Sequence, residues 1–437
     1  MPFGNEEFMR IVRLNNETKN DILESLLKRS PNQYAQYEAT VADIINKVRA
    51  EGDKAVFDMT KQFDKWDINS SNVMVSKQEI DEAYSIVDPK LIDVLNEAAD
   101  NIRIFHEKQV RESWITTKDD GSILGQKITP IDSVGCYAPG GKAAYPSSVL
   151  MNIIPAKVAG VPKIVLATPA GSNGKVHPVT LVAADIAGVD EVYKVGGAQA
   201  VAAFAYGTES IPKVCKITGP GNIFVALAKK ACFGTVGIDS IAGPSEILVI
   251  ADDSANPRYV AADLLSQAEH DELASAILLT DSEDFAKAVS EEVDKFVEVL
   301  SRKDIITKSL DNYGYILVGD SMDELIEAAN EIASEHLEIQ TREPYEVMTK
   351  IKNAGAIFIG PYSSEPLGDY FAGPNHILPT NGTARFFSPL NVDEFTKKTS
   401  IISYSRVGLE KVHEKIEFFA NQEQLTAHAN SIKVRFE

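Results

Sequence analysis

Apolar residues recur at helical spacing through much of the first 110 residues, so the chain is expected to begin mostly helical. Residues 41–58 carry the pattern, and 91–105 repeat it. A turn signal at 119–121 precedes a strand region near 123–134. From about residue 134 the pattern changes. Short apolar runs at 163–168, 191–195, 213–218, 246–251, 276–280, 314–318 and 355–359 are strand-like. Helical stretches lie between most of them, at 178–187, 198–206, 222–232, 256–269 and 283–300. Strands alternating with helices of this length mean βα units and a largely parallel sheet, so the class is α/β. The pattern leaves open one large sheet or two. Residues 387–400 look irregular, 408–419 read as one helix, and a polar tail follows. Such a tail packs on its own body or crosses to a partner subunit.

Length and composition narrow the picture. A chain of 437 residues is too long for one compact core. The formal charge of −20 argues against a nucleic-acid binder, which needs a basic face, and against a polybasic lipid contact. The three cysteines, Cys136, Cys215 and Cys232, have no CxxC spacing, so neither a disulfide framework nor a zinc knuckle is expected. The N-terminus lacks the apolar core of a signal peptide, and no run approaches the roughly 20 apolar residues of a membrane span. A reducing cytoplasm is the simplest setting, with no membrane partner.

Four Gly/Pro clusters are expected to follow strands and precede helices. They are Pro139-Gly140-Gly141, Gly196-Gly197, Gly219-Pro220-Gly221 and Gly243-Pro244-Ser245. In a parallel sheet such turns lie at the carboxyl edge, where ligands bind and helix N-termini favour anions. Tight turns also need glycine for their own sake. The usual phosphate fingerprints are missing. No GxGxxG occurs, and Gly141-Lys142 lacks the leading glycine and the hydroxyl residue of a Walker A loop.

Four histidine segments stand out. Gln267 and His270 are three apart near a helix end, so one face can offer an amide oxygen and an imidazole nitrogen to a metal. Glu335-His336 is expected to end another amphipathic helix, and the pair suits acid/base work near neutral pH. The helix dipole alone would also favour a histidine there. Asp369 and His376 fall in an expected loop, GDYFAGPNH, where the first could ligate a metal and the second touch an anion or substrate. His428 lies in the tail, where a histidine is usually an exposed bystander.

Seven segments together resemble the histidinol dehydrogenase family. They are GCYAPGG (135–141), GGAQAVAAFAYGTESIPKVCKITGPGN (196–222), AGPSEILVIAD (242–252), LLSQAEHD (264–271), SEHLEI (334–339), GDYFAGPNHILPT (368–380) and LTAHANS (425–431). Ser240-Ile241 departs from the Met-Pro more usual before AGPSE. The resemblance implies a fold of two Rossmann-like parallel-sheet domains without GxGxxG, small helical terminal segments, and an intertwined homodimer. The implied division is 1–32 as an N-terminal segment, 33–128 with 243–384 as one domain, 129–242 as the second, and 385–437 as a tail reaching the partner. The implied activity is NAD-dependent, four-electron oxidation of L-histidinol to L-histidine through L-histidinaldehyde. One zinc per subunit would sit on Gln267, His270, Asp369 and His428. Glu335 and His336 would be the acid/base pair. Substrate contacts would be Ser245, Gln267, His270, His336, Asp369, His376, Glu423 and His428, and NAD contacts Tyr137, Gln199 and Asn222. His336 would take the alcohol proton and Glu335 would activate water. A thiohemiacetal on Cys136 is the rival chemistry. A zinc hydrolase and a non-catalytic nucleotide-binding module are the rival classes.

Overall fold

The computed structural model describes residues 8–29, 35–140 and 144–437. Gly141 and Lys142 lie outside the described residues. The chain divides into two units, one of Met1–Gln109 with Ile131–Phe395 and one of Val110–Pro130 with Thr396–Glu437.

The larger unit holds two parallel sheets. Six strands run in the order Arg10–Arg13, Gly314–Val318, Ser275–Thr280, Glu246–Ala251, His336–Gln340 and Ala356–Ile359, every pairing parallel. Five more run Glu191–Tyr193, Ile164–Ala167, Val134–Tyr137, Lys216–Thr218 and Gly237–Ile238, again all parallel. The α/β class expected from the pattern is therefore present, in two sheets rather than one.

The central strands explain the layering. Glu246–Ala251 and Ser275–Thr280 are buried along their whole length, which requires cover on both faces. Side chains alternate across a strand. Ile247, Val249 and Ala251 accordingly pack with Leu264 and Val289, from the helices Pro257–Ala268 and Glu283–Val297. Leu248 and Ile250 face the other way, onto Leu325 and Ala329 of the helix Met322–Ile332. The helices within 35–107, grouped above with 243–384, share their core with the five-stranded sheet instead. Val41, Val56 and Ile102 join one cluster with Val134, Ile154 and Val165.

Several elements differ from their sequence reading. The helix expected over 41–58 breaks at Gly52, whose φ of 56° is left-handed, into Ala35–Glu51 and Asp53–Phe63. The strand expected over 123–134 is two strands, Ile123–Pro130 and Val134–Tyr137, in different sheets. Gly243-Pro244-Ser245 leads into a strand rather than a helix, so it lies at the amino edge of the six-stranded sheet.

The smaller unit is an antiparallel sheet ordered Thr396–Ser403, Ile123–Pro130, Trp114–Thr117, with the helices Arg406–Glu410, His413–Gln422 and Thr426–Lys433. Thr396–Ser403 overlaps a stretch expected to be irregular. Its sequence, TKKTSIIS, carries little apolar signal, and ladder pairing with Ile123–Pro130 along its full length makes it a strand. Among the described residues no helix is long and apolar enough to cross a membrane.

Candidate active site

Glu246 and His336 open neighbouring parallel strands, with His336 in register with Ile247. The helix Met322–Ile332 stops at Ala333, which is left-handed at φ 52°. Glu335 and His336 therefore lie past the helix, at the start of a strand, and not at a helix end as expected. Both are buried. His336 Nδ1 is 3.0 Å from the carbonyl oxygen of Glu246. A carbonyl only accepts, so Nδ1 carries the proton and Nε2 keeps its lone pair. That Nε2 is buried without a hydrogen-bond partner among the described residues, 3.9 Å from Asp369 Oδ1. Burial, with His270 and His376 nearby, pulls the imidazole pKa down to about 3, so the ring is neutral. Glu335 Oε2 accepts from the backbone N–H of Glu246 at 2.9 Å and lies 3.6 Å from His336 Nδ1. Burial pushes its carboxyl well above the usual range, and the charges of Glu246, Asp369 and Glu365 add to this.

Beside this pair lies a set of metal-ligating atoms. Gln267, near the end of the helix Pro257–Ala268, is fully buried, and its Oε1 has no hydrogen-bond partner among the described residues. Its Nε2 is 3.4 Å from His270 Nδ1. Asp369 does not sit in a loop as expected. It lies in the short helix Glu365–Tyr370, and only the residues after Tyr370 are irregular. One ligand atom from each of His270, Glu365 and Asp369 lies within 4.8 Å of the others. Burial raises the Glu365 carboxyl to about 7, helped by the charge of Asp369, and raises Asp369 to about 6. An imidazole nitrogen, carboxylate oxygens and an orphaned amide oxygen form a donor set that suits zinc. Glu365 was not among the expected ligands. The signal was its place four residues before Asp369, one helical turn away on the same face.

His376 links this site to the other half of the unit. Its Nδ1 is 3.1 Å from the Asp369 carbonyl oxygen, and its Nε2 is 3.3 Å from Ser148 Oγ on the helix Pro146–Val158. Burial lowers its pKa to about 4. Ser245, half-buried, directly precedes the strand that begins at Glu246.

At the carboxyl edge of the five-stranded sheet, the Tyr137 hydroxyl accepts from the backbone N–H of Gly197 at 3.1 Å. Gln199 is buried in the first turn of the helix Gly197–Tyr206. Asn222 caps the helix Ile223–Cys232, accepting from the N–H of Phe224 at 3.1 Å and of Val225 at 3.2 Å. Gly219 has a φ of 114°, and a Cβ there would collide with the Tyr137 carbonyl oxygen. The turn is held by a buried Lys229–Asp239 ion pair. Lys229 Nζ donates to the Gly219 carbonyl oxygen at 3.0 Å, and Asp239 Oδ2 accepts from the Gly219 N–H at 2.7 Å.

Of the expected site residues, Glu335, His336, Gln267, His270, Asp369 and His376 come together. Tyr137, Gln199 and Asn222 share the edge of the second sheet. Glu423 and His428 belong to the smaller unit. Glu423 follows the helix His413–Gln422, and His428 lies on Thr426–Lys433, both exposed.

The family profile described as histidinol dehydrogenase matches residues 27–436. The chain is 58% identical over 397 residues to the histidinol dehydrogenase of Halalkalibacterium halodurans, covering 91% of this chain and 93% of that one. The chain belongs to the histidinol dehydrogenase family. With the histidinol dehydrogenase of Clostridium acetobutylicum it shares 54% identity over 431 residues, 99% of this chain and 100% of the other. The crystal structure of histidinol dehydrogenase from Elizabethkingia anophelis, 37% identical, matches with a TM-score of 0.93 over 99% of both chains. Histidinol dehydrogenases are oxidoreductases, which sets aside the hydrolase and the non-catalytic module. The Cys136 route also loses support. Its thiol is fully buried, and burial raises its pKa to about 12, leaving almost no thiolate.

Proposed function

We propose that the chain oxidises L-histidinol to L-histidine through L-histidinaldehyde, passing two hydrides to two molecules of NAD, with one zinc ion per subunit. Gln267, His270 and Asp369 would hold the metal together with His428 from the tail of a second copy, and Glu365 stands beside them as a further oxygen donor. When bound, zinc would help to position the substrate through its nitrogen donors, and NAD would supply the hydride acceptor. His336 Nε2 takes the alcohol proton as the first hydride leaves. Glu335 takes a proton from the water that adds to the aldehyde. The hydrate then gives up its second hydride, and His336 again receives the proton. Ser245, His376 and Glu423 complete the substrate contacts. Tyr137, Gln199 and Asn222 contact NAD, beside a helix N-terminus that favours its pyrophosphate.

The observation that carries this reading is the state of His336. One ring nitrogen is tied to a main-chain carbonyl, and the other is buried and free to accept a proton beside Asp369. The homodimer with exchanged tails draws support from the tail itself, where Phe418, Phe419, Leu425 and Val434 are exposed in the single chain. The separation of 129–242 from 243–384 draws support from the two sheets, one in each stretch, while the helices of 35–107 pack with the first of them. A cytoplasmic setting fits the three free cysteines. The test is Glu335→Gln. Loss of a general base costs about 10²–10⁴-fold in rate, and the loss is expected mainly in oxidation of supplied aldehyde, with the alcohol step better kept. Equal damage to both steps refutes the role given to Glu335.

A further inference from the structure

We infer that Glu338 and Gln340 are positioning residues, which together with Asp263 lock the two ligand-bearing helices to one strand. The inference rests on the metal reading above. Glu338 and Gln340 lie on His336–Gln340, the strand that begins with the catalytic imidazole, and both are buried. Glu338 Oε1 accepts from the backbone N–H of Glu365 at 2.9 Å. That is the first residue of the helix Glu365–Tyr370, whose preceding Ser364 gives no side-chain cap. A buried carboxylate thus does the work of a missing cap on the helix that carries Asp369.

The second oxygen leads to the other ligand helix. Gln340 Nε2 donates to Glu338 Oε2 at 2.9 Å and to Asp263 Oδ2 at 2.8 Å. Asp263 lies one turn before Gln267 on Pro257–Ala268. Ser266 closes the loop, its hydroxyl 2.8 Å from Glu365 Oε2 and 2.8 Å from the Asp263 carbonyl oxygen. Among the described residues no lysine or arginine pairs with Asp263, Glu338 or Glu365. Burying three acids without a cation is costly, and apolar side chains from Ile247 onward pack the neighbouring strand Glu246–Ala251 well. What the acids supply that leucines cannot is direction. They fix where Gln267 and Asp369 stand relative to His336.

The experiment uses the full chain loaded with zinc and measures zinc affinity by competition with a chromogenic chelator, with the thermal midpoint of the zinc-free protein as a control. Outer hydrogen-bond partners of metal ligands are typically worth about 10–100-fold in affinity. Glu338→Leu is expected to lose about that much. Glu338→Gln keeps an oxygen for the Glu365 N–H but turns an amide N–H toward Gln340 Nε2, so it is expected to restore only part of it. A purely structural role would lower the midpoint and leave affinity unchanged. His270→Asn separates the two readings. If it abolishes tight binding while Glu338→Leu binds as wild type, the positioning role is overturned and the metal site stands. If His270→Asn binds zinc as wild type, the metal site itself is overturned. Should Glu338→Leu fail to fold, Gln340→Met removes only the bridging amide, and wild-type affinity in that variant overturns the inference.

Discussion

Arg29→Leu strands a buried carboxylate, that of Glu246, whose backbone bonds to Glu335 and His336. Arg29 Nη2 lies 2.7 Å from Glu246 Oε1, with side-chain exposures of 0% and 3%, and its cation sits 4.9 Å from the centre of the Tyr313 ring. Among the described residues the other Glu246 oxygen accepts only a main-chain N–H, from Asn381 at 3.2 Å. Removing one partner of such a buried pair costs about 3–5 kcal/mol. With an unfolding entropy of about 2.1 cal/mol/K per residue, a chain of 437 residues would lose about 3–5 °C in midpoint if it unfolds as one. Burial already holds the Glu246 pKa above its usual value with Arg29 in place. A raised folded pKa means stability that is full at low pH and lost as pH rises through that pKa. Without Arg29 the pKa rises further, so the deficit against wild type is expected to be largest at pH 8 and to shrink toward pH 5. Thermal unfolding followed by circular dichroism at both pH values measures it. Adding Glu246→Gln to the Arg29→Leu chain is expected to recover much of the loss at pH 8. An equal deficit at both pH values, with no recovery in the double variant, would refute the reasoning.

Two further substitutions test the fold and the chemistry separately. Burial raises the Asp64 carboxyl to about 6, and its Oδ2 has no hydrogen-bond partner among the described residues. Its charge therefore weakens the fold above that pH, and Asp64→Asn is expected to raise the midpoint at pH 8 but hardly at pH 4.5. A gain that does not depend on pH would exclude desolvation as the cause. Cys136→Ala is expected to keep turnover within about threefold, because a buried thiol with a raised pKa is a poor nucleophile. A fall of about 10³-fold, with the fold intact, would return the thiohemiacetal to the mechanism.

The buried central strands could be read from sequence because their apolar runs are unbroken, as in EILVIA and SAILLT. The glycine turns at Gly196 and Gly219 were equally plain. The strand His336–Gln340 was hidden. Its sequence, HLEIQ, alternates polar and apolar like a half-exposed element, yet all five residues are buried because Glu338 and Gln340 bond within the interior. The same hydrogen bonds that hid the strand tie it to the helices Pro257–Ala268 and Glu365–Tyr370. Arg10–Arg13 pairs with Gly314–Val318 across some three hundred residues, and no local pattern encodes such a contact. Glu365 escaped notice because its helix is a single short turn and a half within a segment rich in Pro and Gly.

The most direct test of the central claim is the stoichiometry of turnover. Zinc-loaded protein is given limiting L-histidinol and excess NAD, and absorbance at 340 nm is followed to completion alongside the histidine formed. Two NADH per histidine, with no free aldehyde accumulating, is the expected result. One NADH per histidinol with aldehyde released, or histidinol consumed without NADH, would contradict a single site that carries out both oxidations.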